Sequence, residues 1–106
     1  MVKTNTPRQK SVVKALRTLV PRIPYADFEA IALAIRAPHM RSLFPRDAVW
    51  LATIAHIRHS YTEYDALRDE GYDHDSARHF VAENIDLKLE EWGASHFLAE
   101  DDQSAE

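Results

Sequence analysis

The chain has no cysteine and only two glycines, Gly71 and Gly93, in 106 residues. Without cysteine there is no disulfide framework, no thiolate zinc site and no cysteine nucleophile. Two isolated glycines exclude a glycine-rich phosphate loop and a dinucleotide-binding fingerprint. No apolar run approaches the roughly 20 residues of a membrane span, and the first ten residues, MVKTNTPRQK, lack the apolar core of a secretory signal. We therefore expect a soluble, cytoplasmic protein without membrane contact.

The apolar residues of the chain recur at helical spacing. Its length of 106 residues is enough for a single hydrophobic core. The expected fold is all-α: a single-domain bundle of four main helices plus one short helix around a central apolar helix at about 46–60. The expected domain covers residues 6–94. It is preceded by a flexible tail at 1–5 and followed by an acidic, disordered tail at 95–106.

The central helix is the most apolar long segment, and three basic side chains interrupt it. At 3.6 residues per turn, one apolar face is predicted to carry Trp50, Ile54, Ile57 and Tyr61. The opposite face is predicted to be polar and to carry Thr53, His56, Ser60 and Glu63. Further apolar residues lie around the sides, so the helix is expected to be covered on much of its circumference: Ala48, Val49, Ala52 and Ala55.

Capping signals place the other helices. Thr6-Pro7 predicts the start of the first helix, and a second helix is expected from about Tyr25 to Ala37. Thr62 is the expected cap of the short helix, with Asp65 completing a capping box. Asp73 is expected to cap a last helix at about 74–92, which ends before Gly93.

Charge divides the chain unevenly. Residues 1–46 carry nine Lys/Arg and two Asp/Glu, a balance of +7, whereas residues 47–106 carry four and fifteen, a balance of −11. This pattern favours either attraction between the two halves or a basic surface for an anionic partner. The candidate anion- or nucleic-acid-binding residues are Lys10, Lys14, Arg17 and Arg22.

The basic side chains of the central helix allow several interpretations. His56 and His59, with Glu63, have a spacing at which a metal site is conceivable. However, the zinc-protease pattern needs glutamate beside the first histidine, where Ile57 stands. Histidines hydrogen-bonded inside the bundle are the favoured reading, and no metal or cofactor is predicted. Arg58 is expected to form an ion pair with Asp65 or Asp47, because an unpaired buried charge is costly. An anion site built from Arg58, His56 and His59 is the alternative.

One string is specific enough to suggest a family. The segment HIRHSYTEYDALRDEGYD (56–73), with DSARHFV (75–81), Glu91-Trp92-Gly93 and VPRIP (20–24), resembles the bacterial branch of the domain of unknown function 2293 (DUF2293) family. The similarity spans roughly residues 12–93. It implies a small intracellular helical domain and no particular activity. The string also defines the candidate motif or binding residues His56, Arg58, His59, Thr62, Tyr64 and Asp65.

No Ser/His/Asp order or paired-carboxylate pattern stands out, so no catalytic residue is predicted. The function we expect is a non-enzymatic binding or interaction module with a protein partner. A nucleic-acid-binding protein using the basic N-terminal half is the alternative. A metal-binding protein or enzyme using His56 and His59 is the third hypothesis. The sequence indicates no oligomeric state.

Overall fold

A computed structural model of the chain describes residues 6–99. Within that range it contains five α-helices and one short 3₁₀ helix, so the predicted all-α bundle of four main helices and one short helix is confirmed. The helices are α1 (Pro7–Leu19), α2 (Tyr25–Ala34), α3 (Pro45–Tyr61), α4 (Tyr64–Asp69) and α5 (His74–Glu91), with the 3₁₀ turn at Pro38–Met40. The N-terminal tail predicted at 1–5 lies outside the described residues, as do residues 100–106 of the predicted acidic tail.

Local capping explains where several helices begin. The Thr6 hydroxyl accepts from the Gln9 amide at 3.1 Å, and the Gln9 side chain accepts from the Thr6 amide at 3.3 Å, which closes a capping box on α1. Asp73 caps α5 by accepting from the Ser76 amide at 2.8 Å, as the sequence predicts. Gly93 adopts a φ of +81° just after α5, a left-handed conformation that favours glycine.

Two predicted boundaries are wrong. α2 ends at Ala34 instead of Ala37, and the chain then passes into the 3₁₀ turn that Pro38 begins. The capping box expected at Thr62 and Asp65 does not form, because Glu63 occupies the cap position of α4. The Thr62 hydroxyl instead accepts from the Tyr64 amide and donates to the Arg58 carbonyl, so it fastens α4 to the end of α3.

α3 lies at the centre and contacts α1, α2, α4 and α5. This wide coverage agrees with the apolar residues predicted around the sides of the helix, but two assignments to its faces are wrong. Thr53, assigned to the polar face, is fully buried, while Tyr61, assigned to the apolar face, is 43% exposed. The core includes six residues of α3 itself: Ala48, Val49, Ala52, Thr53, Ile54 and Ile57.

Residues of the other helices surround α3 with the stripes that periodicity predicts. α1 contributes Val12 and Leu16, α2 contributes Phe28 and Ile31, and α5 contributes a longer row. That row consists of Ala77, Val81, Ile85 and Leu89, followed by Trp92.

Long-range hydrogen bonds fix the connectors to this core. Arg8 donates to the carbonyls of Leu43 at 2.7 Å and Met40 at 2.9 Å, which ties α1 to the segment before α3. Residues 95–99 turn back on the bundle. The amide of Leu98 donates to the Asp86 carboxylate at 2.7 Å, and the His96 ring lies 4.5 Å from that of Trp50.

The burial of α3 predicts its contribution to stability. Ile57 is fully buried, so Ile57→Ala should lower the free energy of unfolding by about 2–5 kcal/mol through lost transfer energy and a residual cavity. Leu33→Ala, at a site 68% exposed, is the control and should cost about 0.5 kcal/mol or less. Chemical denaturation measures both, and equal small effects would contradict the central position of α3.

Thr53 gives a second prediction of opposite sign. Its hydroxyl is buried and has no hydrogen-bond partner among residues 6–99, which leaves a polar group desolvated without compensation. Thr53→Val keeps the shape and removes the hydroxyl, so it should raise the free energy of unfolding by about 1 kcal/mol. Thr18→Val is the control, because the Thr18 hydroxyl is exposed and donates to the Lys14 carbonyl at 2.8 Å. A loss of stability in Thr53→Val would contradict the assignment.

Candidate functional site

Helical geometry sends the polar residues of α3 in different directions. Successive residues are about 100° apart, so Arg58 falls about 200° from His56, on the far side of the helix. The candidate motif HIRH therefore cannot build one site from all its side chains. The structure shows two clusters, one around His56 and one around Arg58 and His59.

The first cluster is centred on Asp27, in the first turn of α2. Its buried carboxylate lies 2.7 Å from His56 Nε2, and both of its oxygens accept from the Tyr61 hydroxyl at 2.9 Å. The carboxylate therefore has partners at two positions of α3. Such pairing compensates the cost of burying a charged group. Asp27 thus joins the start of α2 to the C-terminal half of α3.

The end of α5 closes the first cluster. The Trp92 ring lies 6.5 Å from that of His56 and 5.8 Å from that of Tyr61, measured between centroids. Lys88 places its amine 4.3 Å from the Tyr61 ring centroid, in cation–π geometry, and pairs with Glu91. Three helices thus meet at this polar cluster.

The second cluster is formed by the turn between α3 and α4. His59 Nδ1 lies 2.7 Å from an Asp65 carboxylate oxygen, and both side chains are exposed. The ring of His59 meets the Tyr64 ring edge-on at 5.5 Å. An exposed pair of this kind contributes about 0–1 kcal/mol, so its main effect is to fix the direction of the turn.

The predicted ion pair of Arg58 is wrong. Asp65 is occupied by His59, and the Arg58 guanidinium lies over the face of Tyr64, 5.4 Å from the ring centroid. The Tyr64 hydroxyl in turn lies 2.7 Å from His74 Nδ1, and Arg68 lies 3.3 Å from the other ring nitrogen of His74. Burial, and then the charge of Arg78, lower the pKa of Arg58 from its ordinary value.

The four basic candidates of the N-terminal half separate into two groups. Lys10 and Lys14 are exposed on α1. Arg17 covers the Phe28 ring at 5.2 Å. Arg22 has a structural position, because its side chain donates to the Glu90 carbonyl at 3.2 Å and its amide donates to the Trp92 carbonyl at 2.9 Å.

Lys14 also borders a cleft of about 700 Å³ between α1, the start of α3 and the residues after α5. Arg46 and Asp47 line it from α3, and Trp50 and His96 form its far wall. Sequence reasoning assigned Trp50 to the core and did not single out Arg46. Only the fold shows that these residues lie beside Lys14, since no spacing pattern connects them.

Among residues 6–99, no third ligand for a metal ion lies near both His56 and His59. His56 is directed to Asp27 and His59 to Asp65, so the two rings have different partners. Among residues 6–99, no group of three His, Asp or Glu side chains is arranged to hold a metal ion. In the same range, no helix is both long and apolar enough to cross a membrane.

Fold and sites together define a small all-α domain with two polar clusters on one central helix. Comparison with protein families matches residues 15–93 to the family described as Uncharacterized conserved protein (DUF2293), and the chain belongs to this family. The resemblance seen in the sequence is thereby confirmed. The match includes both polar clusters, whereas Lys14 and His96 of the cleft lie outside it. No curated protein and no solved structure matches the chain.

The first cluster predicts a pH dependence. The hydrogen bond to Asp27, then desolvation and the negative charges of Asp27 and Glu91, raise the pKa of Tyr61 above its ordinary value. A group whose pKa is raised on folding stabilises the native state below its unfolded pKa of about 10, and this contribution is lost as the pH rises above that value. Asp27→Asn should therefore lower the pKa of Tyr61, measured by NMR titration of its ring carbon.

Asp65→Asn is the matched control for that titration. It removes a carboxylate from the second cluster and should leave the pKa of Tyr61 in place. An unchanged titration in Asp27→Asn would show that the hydrogen bond does not govern Tyr61.

Proposed function

We propose that this protein is a non-enzymatic binding module that recognises an acidic segment of a partner protein. The supporting observation is the cleft of about 700 Å³ that Lys14 and Arg46 border. Its volume lies in the range of protein ligand sites, about 300–1,000 Å³. An apolar side chain of the partner would enter the cleft, and its carboxylates would meet the two cations.

The walls of the cleft favour an apolar anchor. α1 contributes Ala15 and Leu19, and α3 contributes Val49 and Trp50. Trp50 is half-buried and packs against His96, so it offers a rigid aromatic wall. Aromatic residues in such positions are enriched among those that dominate binding energy at protein interfaces.

The charge of the surface favours an acidic partner. Lys10, Lys14 and Arg17 follow one another along α1 at spacings of four and three, and all three are exposed. Arg46 extends this surface, which we call the basic rim, across the cleft. Complementary charge of this kind steers association and fixes the register of the partner.

The charge of the whole chain favours a protein over nucleic acid. The chain has a net charge of −4 and a pI of about 5.8, whereas domains that bind nucleic acid are commonly strongly basic. The net negative charge of the chain would oppose a long polyanion that extends beyond the basic rim. A short acidic segment would meet Lys14 and Arg46, with Asp47 as the one carboxylate among the lining residues described.

The test is an NMR titration of ¹⁵N-labelled protein with a short synthetic peptide in which glutamate alternates with leucine and phenylalanine. We expect saturable shifts at the Trp50 indole and the Lys14 amide. The double variant Lys14→Gln, Arg46→Gln should weaken binding roughly threefold to tenfold or more, since each exposed ion pair contributes up to about 1 kcal/mol.

Arg41→Gln is the matched control, because Arg41 is an exposed arginine outside the cleft, and its affinity should match that of the natural chain. Equal affinities in all variants, or no shift with the peptide, would contradict the proposal. A short single-stranded DNA that shifts the same resonances more strongly, with a steep salt dependence, would support the nucleic-acid alternative.

A further inference from the structure

Arg58 is left with an unsatisfied donor. Its side chain is half-buried, and its Nε is buried without a hydrogen-bond partner among the described residues. The guanidinium lies over Tyr64, an interaction that stabilises the charge but accepts no hydrogen bond. A buried donor of a charged group without an acceptor is costly. The other nitrogens of the half-buried guanidinium have no hydrogen-bond partner among the described residues, so they remain available to a ligand.

A second cation lies on the helix that the Tyr64 hydroxyl contacts. Arg78 stands four residues after His74 on α5 and so shares its face of the helix, the face that the Tyr64 hydroxyl contacts. Within residues 6–99 neither Arg58 nor Arg78 forms an ion pair with a carboxylate. Burial lowers the pKa of Arg58, and the charge of Arg78 lowers it further.

A chain of hydrogen bonds supplies a third donor. Arg68 can only donate, so the His74 nitrogen 3.3 Å away, Nε2, is its acceptor. In neutral His74 the proton is then on Nδ1, which donates to the Tyr64 oxygen at 2.7 Å. The hydroxyl proton of Tyr64 consequently has no acceptor among the described residues and is free to donate.

Two carboxylates near this region already have partners. Asp65 pairs with His59, and Asp73 accepts from the Ser76 amide at the start of α5. His59 is therefore not part of the donor set, and His56 points to Asp27 in the other cluster. The anion site considered from the sequence combined Arg58 with His56 and His59. In the structure, Arg78 and Tyr64 take the place of the two histidines beside Arg58.

We propose that Arg58, Arg78 and the Tyr64 hydroxyl form a binding site for a phosphoryl group. A phosphate carries a charge near −2 at neutral pH and several strong acceptor oxygens. It matches two cations and a neutral donor better than a single carboxylate, and arginine binds phosphate in bidentate geometry. The site belongs to the α3–α4–α5 end of the bundle and does not depend on the cleft beside α1.

The test is a titration of the full chain with inorganic phosphate at constant ionic strength. The readouts are the Nε–H resonance of Arg58 by NMR and the melting temperature. We expect a saturable shift of that resonance and a melting temperature that rises with phosphate concentration, since a ligand that binds only the folded state stabilises it. Chloride at the same ionic strength should reproduce neither effect.

Two variants separate binding from folding. Tyr64→Phe keeps the buried ring and loses only the hydroxyl, and Arg78→Gln changes an exposed residue. Each should weaken phosphate binding about tenfold or more, the effect of losing one hydrogen bond to a charged group. Arg41→Gln, an exposed arginine elsewhere, should bind phosphate like the natural chain.

A parallel titration with phosphoserine distinguishes the source of the phosphoryl group. Tighter binding of phosphoserine than of inorganic phosphate supports the site and identifies a phosphorylated protein as its ligand. Tighter binding of inorganic phosphate supports the site and identifies the free ion. No shift of the Arg58 resonance with either ligand overturns the proposal, as does phosphate affinity in Tyr64→Phe and Arg78→Gln that equals that of the natural chain. Either outcome leaves the acidic-segment proposal untouched.

Discussion

The burial of α3 against four other helices is the constraint on which the rest of the structure depends. A helix covered on several sides must give most of its surface to apolar or small residues, and Ala48, Ala52 and Ile57 do so. The polar side chains of α3 then depend on the surrounding helices for their interaction partners. Asp27 arrives from α2 for His56, and Tyr64 arrives from α4 for Arg58. The polar clusters are thus a consequence of where the central helix lies.

The sequence predicts the helices well because their signals are local. The Thr6-Pro7 start, the Asp73 cap and the spacing of Val81, Ile85 and Leu89 depend on residues within a turn or two of each other. α3 is less well described from sequence alone. Periodicity does not show which neighbour covers each position of a widely covered helix, so Thr53 and Tyr61 exchange their predicted environments.

Partners of polar side chains are the part that sequence spacing does not reveal. Asp27 lies in the first turn of α2, where the helix dipole alone accounts for a negative charge, yet it also contacts His56, which is 29 residues away in the sequence. Arg58 was expected beside Asp65, seven positions along the chain, but the nearer His59 takes that carboxylate. Competition between adjacent side chains for one acceptor depends on rotamers that only tertiary packing determines.

The hydrogen bonds of Arg22 have a consequence for the order in which the chain folds. They join the connector after α1 to the end of α5, across 68 residues between Arg22 and Glu90. Closing so long a loop costs conformational entropy. The hydrogen bonds offset that cost only after α3 has packed between the two segments that they join. These hydrogen bonds should therefore form late in folding and break early in unfolding. Gly93 allows this contact, because it approaches Pro21 and Arg22 so closely that little space is left for a side chain.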